Sequence, residues 1–159
     1  MNKYLMISAS AVIVAASLAG YFFLRPSPPP EPLVIALHPD DAAKVARGEE
    51  VYVDACASCH GANLEGQANW RRRNAAGRLP APPHDETGHT WHHPDTALFE
   101  LTKFGPAALV GDGYESDMPG YADTLSDEEI LEVLSYIKSQ WRDEIRSRHD
   151  RINAGGGMH

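Results

Sequence analysis

Cysteine is scarce in this chain, with two residues among 159. Two thiols can neither complete a four-cysteine zinc site nor staple a disulfide-rich scaffold, so they serve one bridge or one attachment. Positive charge is also short. Fourteen Lys and Arg face 22 Asp and Glu, and the formal charge is −8 with a pI of about 5.4. That balance argues against a nucleic-acid binder, which would carry a basic face. No stretch sustains the period-two alternation of a strand, and no internal repeat is visible. The length excludes a large multidomain enzyme. What is present, 43% apolar and 8% aromatic residues, suits a globular domain rather than a disordered chain.

The apolar residues are unevenly spread. Residues 4–24 hold no charge and are flanked by Lys3 and Arg25. Such a run is long enough to cross a bilayer as a helix. A cleaved signal peptide is the rival, with Ser17-Leu18-Ala19 as its small-residue site. Cleavage after Ala19 would strand Tyr21-Phe22-Phe23-Leu24 as an apolar stub, whereas an anchor uses them at the membrane interface. The expectation is therefore an anchor or signal segment at 1–25, with the remainder exported. A linker at 26–38 follows, with five prolines between positions 26 and 32 that favour an extended spacer. Beyond residue 25 the balance is 12 basic against 22 acidic residues, about −10. A domain at 39–148 and a flexible tail at 149–159 complete the expected organisation.

Within that domain the first helix starts at Asp40 or Asp41 as N-cap and places Val45, Gly48, Tyr52 and Ala55 on one face. Gly48 inside a helix costs roughly 1 kcal/mol relative to Ala, which close approach of a second helix would explain. A shorter helix begins near Pro94-Asp95, buries Leu98, Leu101 and Phe104, and ends at Gly105-Pro106. The last helix opens with Ser126-Asp127-Glu128-Glu129, a capping box, and Leu125 with Ile130 forms the staple. Ile130, Leu134, Ile137, Trp141 and Ile145 make its apolar stripe. Segments 61–83 and 107–121 read as loops. Three main helices leave a thin core, so something else is expected at the centre.

Cys56-Ala57-Ser58-Cys59-His60 supplies it. Two thiols one helical turn apart can add to the two vinyl groups of a haem, and the adjacent histidine can reach the iron. A redox C-x-x-C expects a strand before the motif, where a helix is expected here. Zinc lacks a second cysteine pair. For a further iron ligand four methionines exist. Met1 and Met6 lie in the N-terminal segment and Met158 in the tail, which leaves Met118, held in a loop just ahead of the last helix.

These residues resemble a class I monohaem c-type cytochrome. Cys56 to Gly61 is similar to that family's attachment motif, and Met118-Pro119 to its ligand loop. Gly48, Tyr52 and the stretch from Tyr136 to Trp141 are similar to its crossed terminal helices. The resemblance covers residues 40–145. It implies an all-α cytochrome c fold around one haem c bound through Cys56 and Cys59, with His60 proximal and Met118 distal. It implies a proline carbonyl accepting the His60 Nδ1 proton, for which Pro82 is the matching residue. The expected whole is a membrane-anchored single-electron carrier, not an enzyme. It would be single-pass in a bacterial inner membrane with the haem domain on the periplasmic side. Its expected partners are a quinol–cytochrome c reductase and a terminal oxidase.

One departure from that family is the crowd of His84, Asp85, Glu86, His89, His92, His93 and Asp95. Three readings stand: a second metal site such as copper, a histidine displacing Met118, or a polar loop in which Trp91 and a histidine hydrogen-bond haem propionates. Arg71, Arg72 and Arg73 meet propionates, an acidic partner or only solvent. A haem enzyme, a cytochrome subunit of a larger oxidoreductase, and a metal-handling protein remain the rival functions. The attachment motif yields a direct expectation. Cys59→Ala severely lowers covalent haem yield, read as the pyridine haemochrome of purified protein.

Overall fold

Asp41 starts the first helix, α1 (Ala42–Val51). Its carboxylate accepts from the backbone N–H of Ala43 at 3.0 Å and of Lys44 at 3.2 Å, which satisfies two of the free donors of the first turn. In the computed structural model, which describes residues 33–155, α1 runs into a π-helical turn, Tyr52–Cys56, and then α2 (Ala57–His60). A long irregular segment follows, ending in a 3-10 turn at Thr90–His92. Then come α3 (Asp95–Phe104), α4 (Pro106–Val110), α5 (Asp127–Ser139) and α6 (Asp143–Gly155). The fold is all-α, and no strand occurs among the described residues.

The crossing of α1 and α5 organises the core. A Cβ on Gly48 would stand 2.0 Å from the Glu132 carbonyl oxygen and 3.0 Å from Tyr136 Cβ, so only hydrogen fits between the two backbones. Beside the crossing, Arg47 Nε donates to Glu132 Oε1 at 2.6 Å, which pairs a carboxylate that is almost wholly buried. Ser126 caps α5 as the sequence suggests: Glu129 N donates to Ser126 Oγ at 3.2 Å, and Ser126 N to Glu129 Oε2 at 2.7 Å. Ile130, Val133, Leu134 and Ile137 of α5 are buried against Tyr52, Leu98 and Phe99.

Helix α6 packs on the 3-10 turn and closes a polar network. His149 is fully buried and donates from Nε2 to the His93 carbonyl at 2.9 Å. Asn153 Nδ2 donates to Asp95 Oδ1 at 2.9 Å, while Asp95 N donates to Asn153 Oδ1 at 2.8 Å. The second oxygen of Asp95 accepts from Leu37 N at 3.0 Å. Lys138 of α5 reaches Asp150 at 2.6 Å, and Arg146 pairs with Asp40. These bonds fix the N-terminal extended segment, the start of α3 and α6 to one another.

Several expectations are corrected. The transmembrane helix expected at 1–25 has no support. Among the described residues no helix is long and apolar enough to cross a membrane. The longest, α5 and α6, have 13 residues each, about 20 Å against a hydrocarbon core of about 30 Å, and both carry charges. The segment 1–25 and prolines 26 to 32 lie outside the described residues. The expected membrane anchoring, single-pass inner-membrane topology and contact with a membrane through an N-terminal helix have no support among the described residues. Phe104 is exposed rather than buried, and Phe99 and Thr102 take the inner face of α3. Gly105 ends α3 as expected, but Pro106 opens a further short helix, α4, at the start of the 107–121 segment read as loop. The apolar stripe through Ile145 breaks: α5 stops at Ser139, and Ile145 belongs to α6. Residues 149–155, expected as tail, are the last turns of α6.

Two outcomes follow. Gly48→Ala destabilises by about 2 kcal/mol in urea unfolding, because overpacking at the crossing outweighs the gain in helix propensity. Burial and nearby Lys138 hold the His149 pKa below its ordinary 6.5, against the opposing pull of Asp95 and Asp150. A depressed histidine favours the folded state in its neutral form. Its contribution is complete above pH 6.5 and declines as pH falls below that value. A His149→Gln variant therefore loses less stability than the parent between pH 7.5 and pH 5, measured by urea midpoints.

Candidate functional site

His60 closes α2, and the backbone at Gly61 turns away with φ +82°. The Tyr52 hydroxyl donates to the Gly61 carbonyl at 2.8 Å, holding this turn against the π-helical segment. The His60 ring is buried, and its Nδ1 donates to the Pro82 carbonyl at 2.8 Å. A carbonyl can only accept, so the proton sits on Nδ1 and Nε2 keeps its lone pair. Burial lowers the His60 pKa, and the Pro82 bond only partly opposes it. The ring is thus a neutral donor with one orientation.

The segment between His60 and Pro82 folds back through its own bonds. Gly66 N donates to the His60 carbonyl at 2.7 Å, and Gln67 N to the Ala81 carbonyl at 2.8 Å. Gly66 has φ +68°, and a Cβ there would lie 2.4 Å from Pro83 N. The turn needs glycine for both its conformation and its clearance.

Met118 sits in a loop tied down from three directions. Tyr121 N donates to the Thr102 carbonyl at 3.1 Å and Ala122 N to the Lys103 carbonyl at 2.9 Å, which bind the loop to α3. The Tyr121 hydroxyl donates to the Ala55 carbonyl at 2.9 Å, across to the π-helical turn. Arg78 pairs with Asp117 at 2.6 Å and Glu115 at 3.4 Å. Cys56, His60, His84, Met118, Tyr121 and the α5 residues Val133, Leu134 and Ile137 line one narrow, largely apolar gap of about 30 Å³. Cys56 is half-buried and Cys59 exposed, and neither is in a disulfide. Burial, then the neighbouring Cys59, pushes the Cys56 thiol up to about 11. An apolar wall, an imidazole with a free Nε2, a thioether and the Cys56 thiol, with the exposed Cys59 thiol three residues on, are a donor set that fits a haem c.

The cytochrome c family profile matches residues 45–141. The chain belongs to the cytochrome c family. A curated relative, "Cytochrome bc1 complex cytochrome c subunit" of Corynebacterium diphtheriae, is 36% identical over 59 residues, which is 37% of this chain and 21% of that protein. The match thus spans about a fifth of the relative's length. Among solved structures, cytochrome cL from the marine methylotrophic bacterium Methylophaga aminisulfidivorans is similar. It shares 23% identity with a TM-score of 0.47, over 74% of this chain and 69% of that one. Membership supports a cytochrome c-type electron carrier, and with the two cysteines it is consistent with covalently bound haem c.

The histidine-rich segment of this cytochrome is dispersed. His84 stacks on His60, His89 on Trp70, and His92 against Trp91. Among the described residues no group of three or more His, Cys, Asp or Glu side chains is placed to hold a metal ion, so the second-metal reading, one of the three, finds no geometry. His84 does not displace Met118 either. Parallel rings with centroids 3.9 Å apart lie side by side and cannot face each other across an iron. The Trp91 indole N–H donates to the Glu86 carbonyl at 3.3 Å, and Arg148 lies over its ring. Arg71 lies over Trp70, Arg73 donates to the Gly77 carbonyl.

Sequence reasoning missed Tyr121, Thr102 and the role of His84. Tyr121 carried a weak signal, following Met118-Pro119-Gly120 directly. Thr102 and His84 carried none, because their partners lie in distant segments.

Proposed function

We propose that this cytochrome c is a single-electron carrier with one haem c, attached through Cys56 and Cys59 and ligated by His60 and Met118. The observation that supports it most is that His60, with Nε2 freed by the Pro82 bond, and Met118 line the same apolar gap beside Cys56. Haem c supplies a one-electron iron couple. The protein's part is to hold and insulate. The Cys56 and Cys59 thiols fix the group covalently, while Pro82 orients the His60 imidazole and strengthens it as a donor. The Met118 thioether favours the ferrous state and raises the potential. Val133, Leu134 and Ile137 exclude water and keep the local dielectric low.

With His60 and Met118 both committed, no ligation position is left for a substrate, which sets this reading apart from a haem enzyme. The naming of the Corynebacterium relative as a bc1-complex subunit supports partners of the respiratory kind. The acidic balance favours encounter with a basic docking face at low ionic strength.

Met118→Ala tests the ligand assignment. The variant retains covalent haem, loses the methionine-to-iron charge-transfer band of the oxidised protein, and has a lower potential in voltammetry. A band and potential equal to those of the parent overturn Met118 as ligand.

A further inference from the structure

His84 faces the same gap but neither ligates nor leaves it. Its ring lies 3.9 Å from that of His60, centroid to centroid, with 21° between the planes. Its Nδ1 is bonded to Thr90 Oγ1 at 2.9 Å, and Thr90 itself is buried, its hydroxyl 3.5 Å from the Pro83 carbonyl. With the hydroxyl proton directed to that carbonyl, His84 Nδ1 is the donor. The backbone is fixed on both sides: His84 N donates to the Leu64 carbonyl at 2.8 Å, and its own carbonyl accepts from Trp141 Nε1 at 2.7 Å. The Tyr52 ring closes a further edge, with centroids 6.3 Å apart and planes at 71°. Nothing in ligation or attachment requires this set of contacts at residue 84.

The geometry points to His84 as a positioning residue that sets the plane of the His60 imidazole. The hydrogen bond to Pro82 fixes one direction in that ring, the line from Nδ1 to the carbonyl. A plane needs a second constraint, and a flat partner pressed on the ring face supplies it. Thr90 and Trp141 pass the rigidity of the surrounding loop and of the α5–α6 junction to that partner. Burial and the nearby His60 and His89 keep His84 neutral, well below its ordinary pKa, so the stack places no second positive charge beside the ligand. This inference rests on His60 as proximal ligand but not on Met118.

The plane of an axial imidazole governs how unpaired spin spreads over the four pyrroles of oxidised haem. The proton NMR shifts of the haem methyls in the holoprotein therefore read it directly. His84→Leu, His84→Phe and Thr90→Val are compared with the parent at equal haem content by pyridine haemochrome. The Trp141 bond uses the backbone of residue 84 and survives all three substitutions. His84→Leu removes the flat face and changes the order or spread of the four methyl shifts. His84→Phe restores the face and returns the pattern toward that of the parent. Thr90→Val releases the His84 ring and moves the pattern in the same sense as Leu. Parental patterns in both His84→Leu and Thr90→Val overturn the inference. Should His84→Leu not accumulate, an unchanged pattern in Thr90→Val alone overturns it. Loss of the charge-transfer band in the parent instead overturns the His60 and Met118 pairing and leaves the His84 comparison readable.

Discussion

The bond from His60 Nδ1 to the Pro82 carbonyl, 2.8 Å long and spanning 22 residues of chain, is the contact on which the rest of the site depends. It selects the tautomer of the imidazole and thereby decides which nitrogen can ligate. It also closes the irregular segment between the attachment motif and the histidine-rich loop, which has no helix of its own to hold it. Around that closure the chain adds further backbone bonds: the Gly66 turn, the Gln67 bond to Ala81, and the His84 bond to Leu64. Each satisfies a backbone group that a loop folded against a core would otherwise leave unpaired. The loop is thus ordered by the same interaction that readies the ligand.

The second organising contact is steric. Gly48 lets α1 and α5 approach until backbone meets backbone. Tyr52, one turn later, reaches Gly61 with its hydroxyl, and its ring lies tilted against Tyr136 and edge-on to His84. The crossing, the π-helical turn and the attachment motif are therefore consecutive pieces of one rigid run. The extra residue in a π-helical turn shifts the side chains after it around the helix axis. Here the shift falls just ahead of Cys56 and His60.

What was legible in the sequence was local. Asp41 and Ser126 cap helices with side chains that act within three residues, and the structure places both where the residue types suggest. The attachment motif was readable from spacing and residue chemistry, whereas Pro82 came only with the family resemblance, and its carbonyl does meet His60 Nδ1. The misreadings share a cause, since each depended on a partner far along the chain. The stripe from Ile130 to Ile145 looked like one helix. Trp141 instead turns its indole to the His84 carbonyl, 57 residues away, and the helix breaks there. His149 and Asn153 lie in a run of charged residues that reads as solvated, yet they are bound by Asp95 and His93, more than 50 positions earlier. Periodicity cannot reveal a polar side chain that is buried only because another polar side chain awaits it.

The position of α6 in the chain has a consequence for assembly. The thiols that take the haem lie at positions 56 and 59, whereas the helix that braces the 84–95 loop begins at Asp143. A chain that has emerged only as far as Ser139 already holds both thiols, His60, Pro82 and Met118, but it lacks Trp141, His149 and Asn153. Its site is chemically complete while the loop beside His60 is still unbraced. The contacts that brace the 84–95 loop beside His60 therefore come from residues that follow every one of those side chains in the chain.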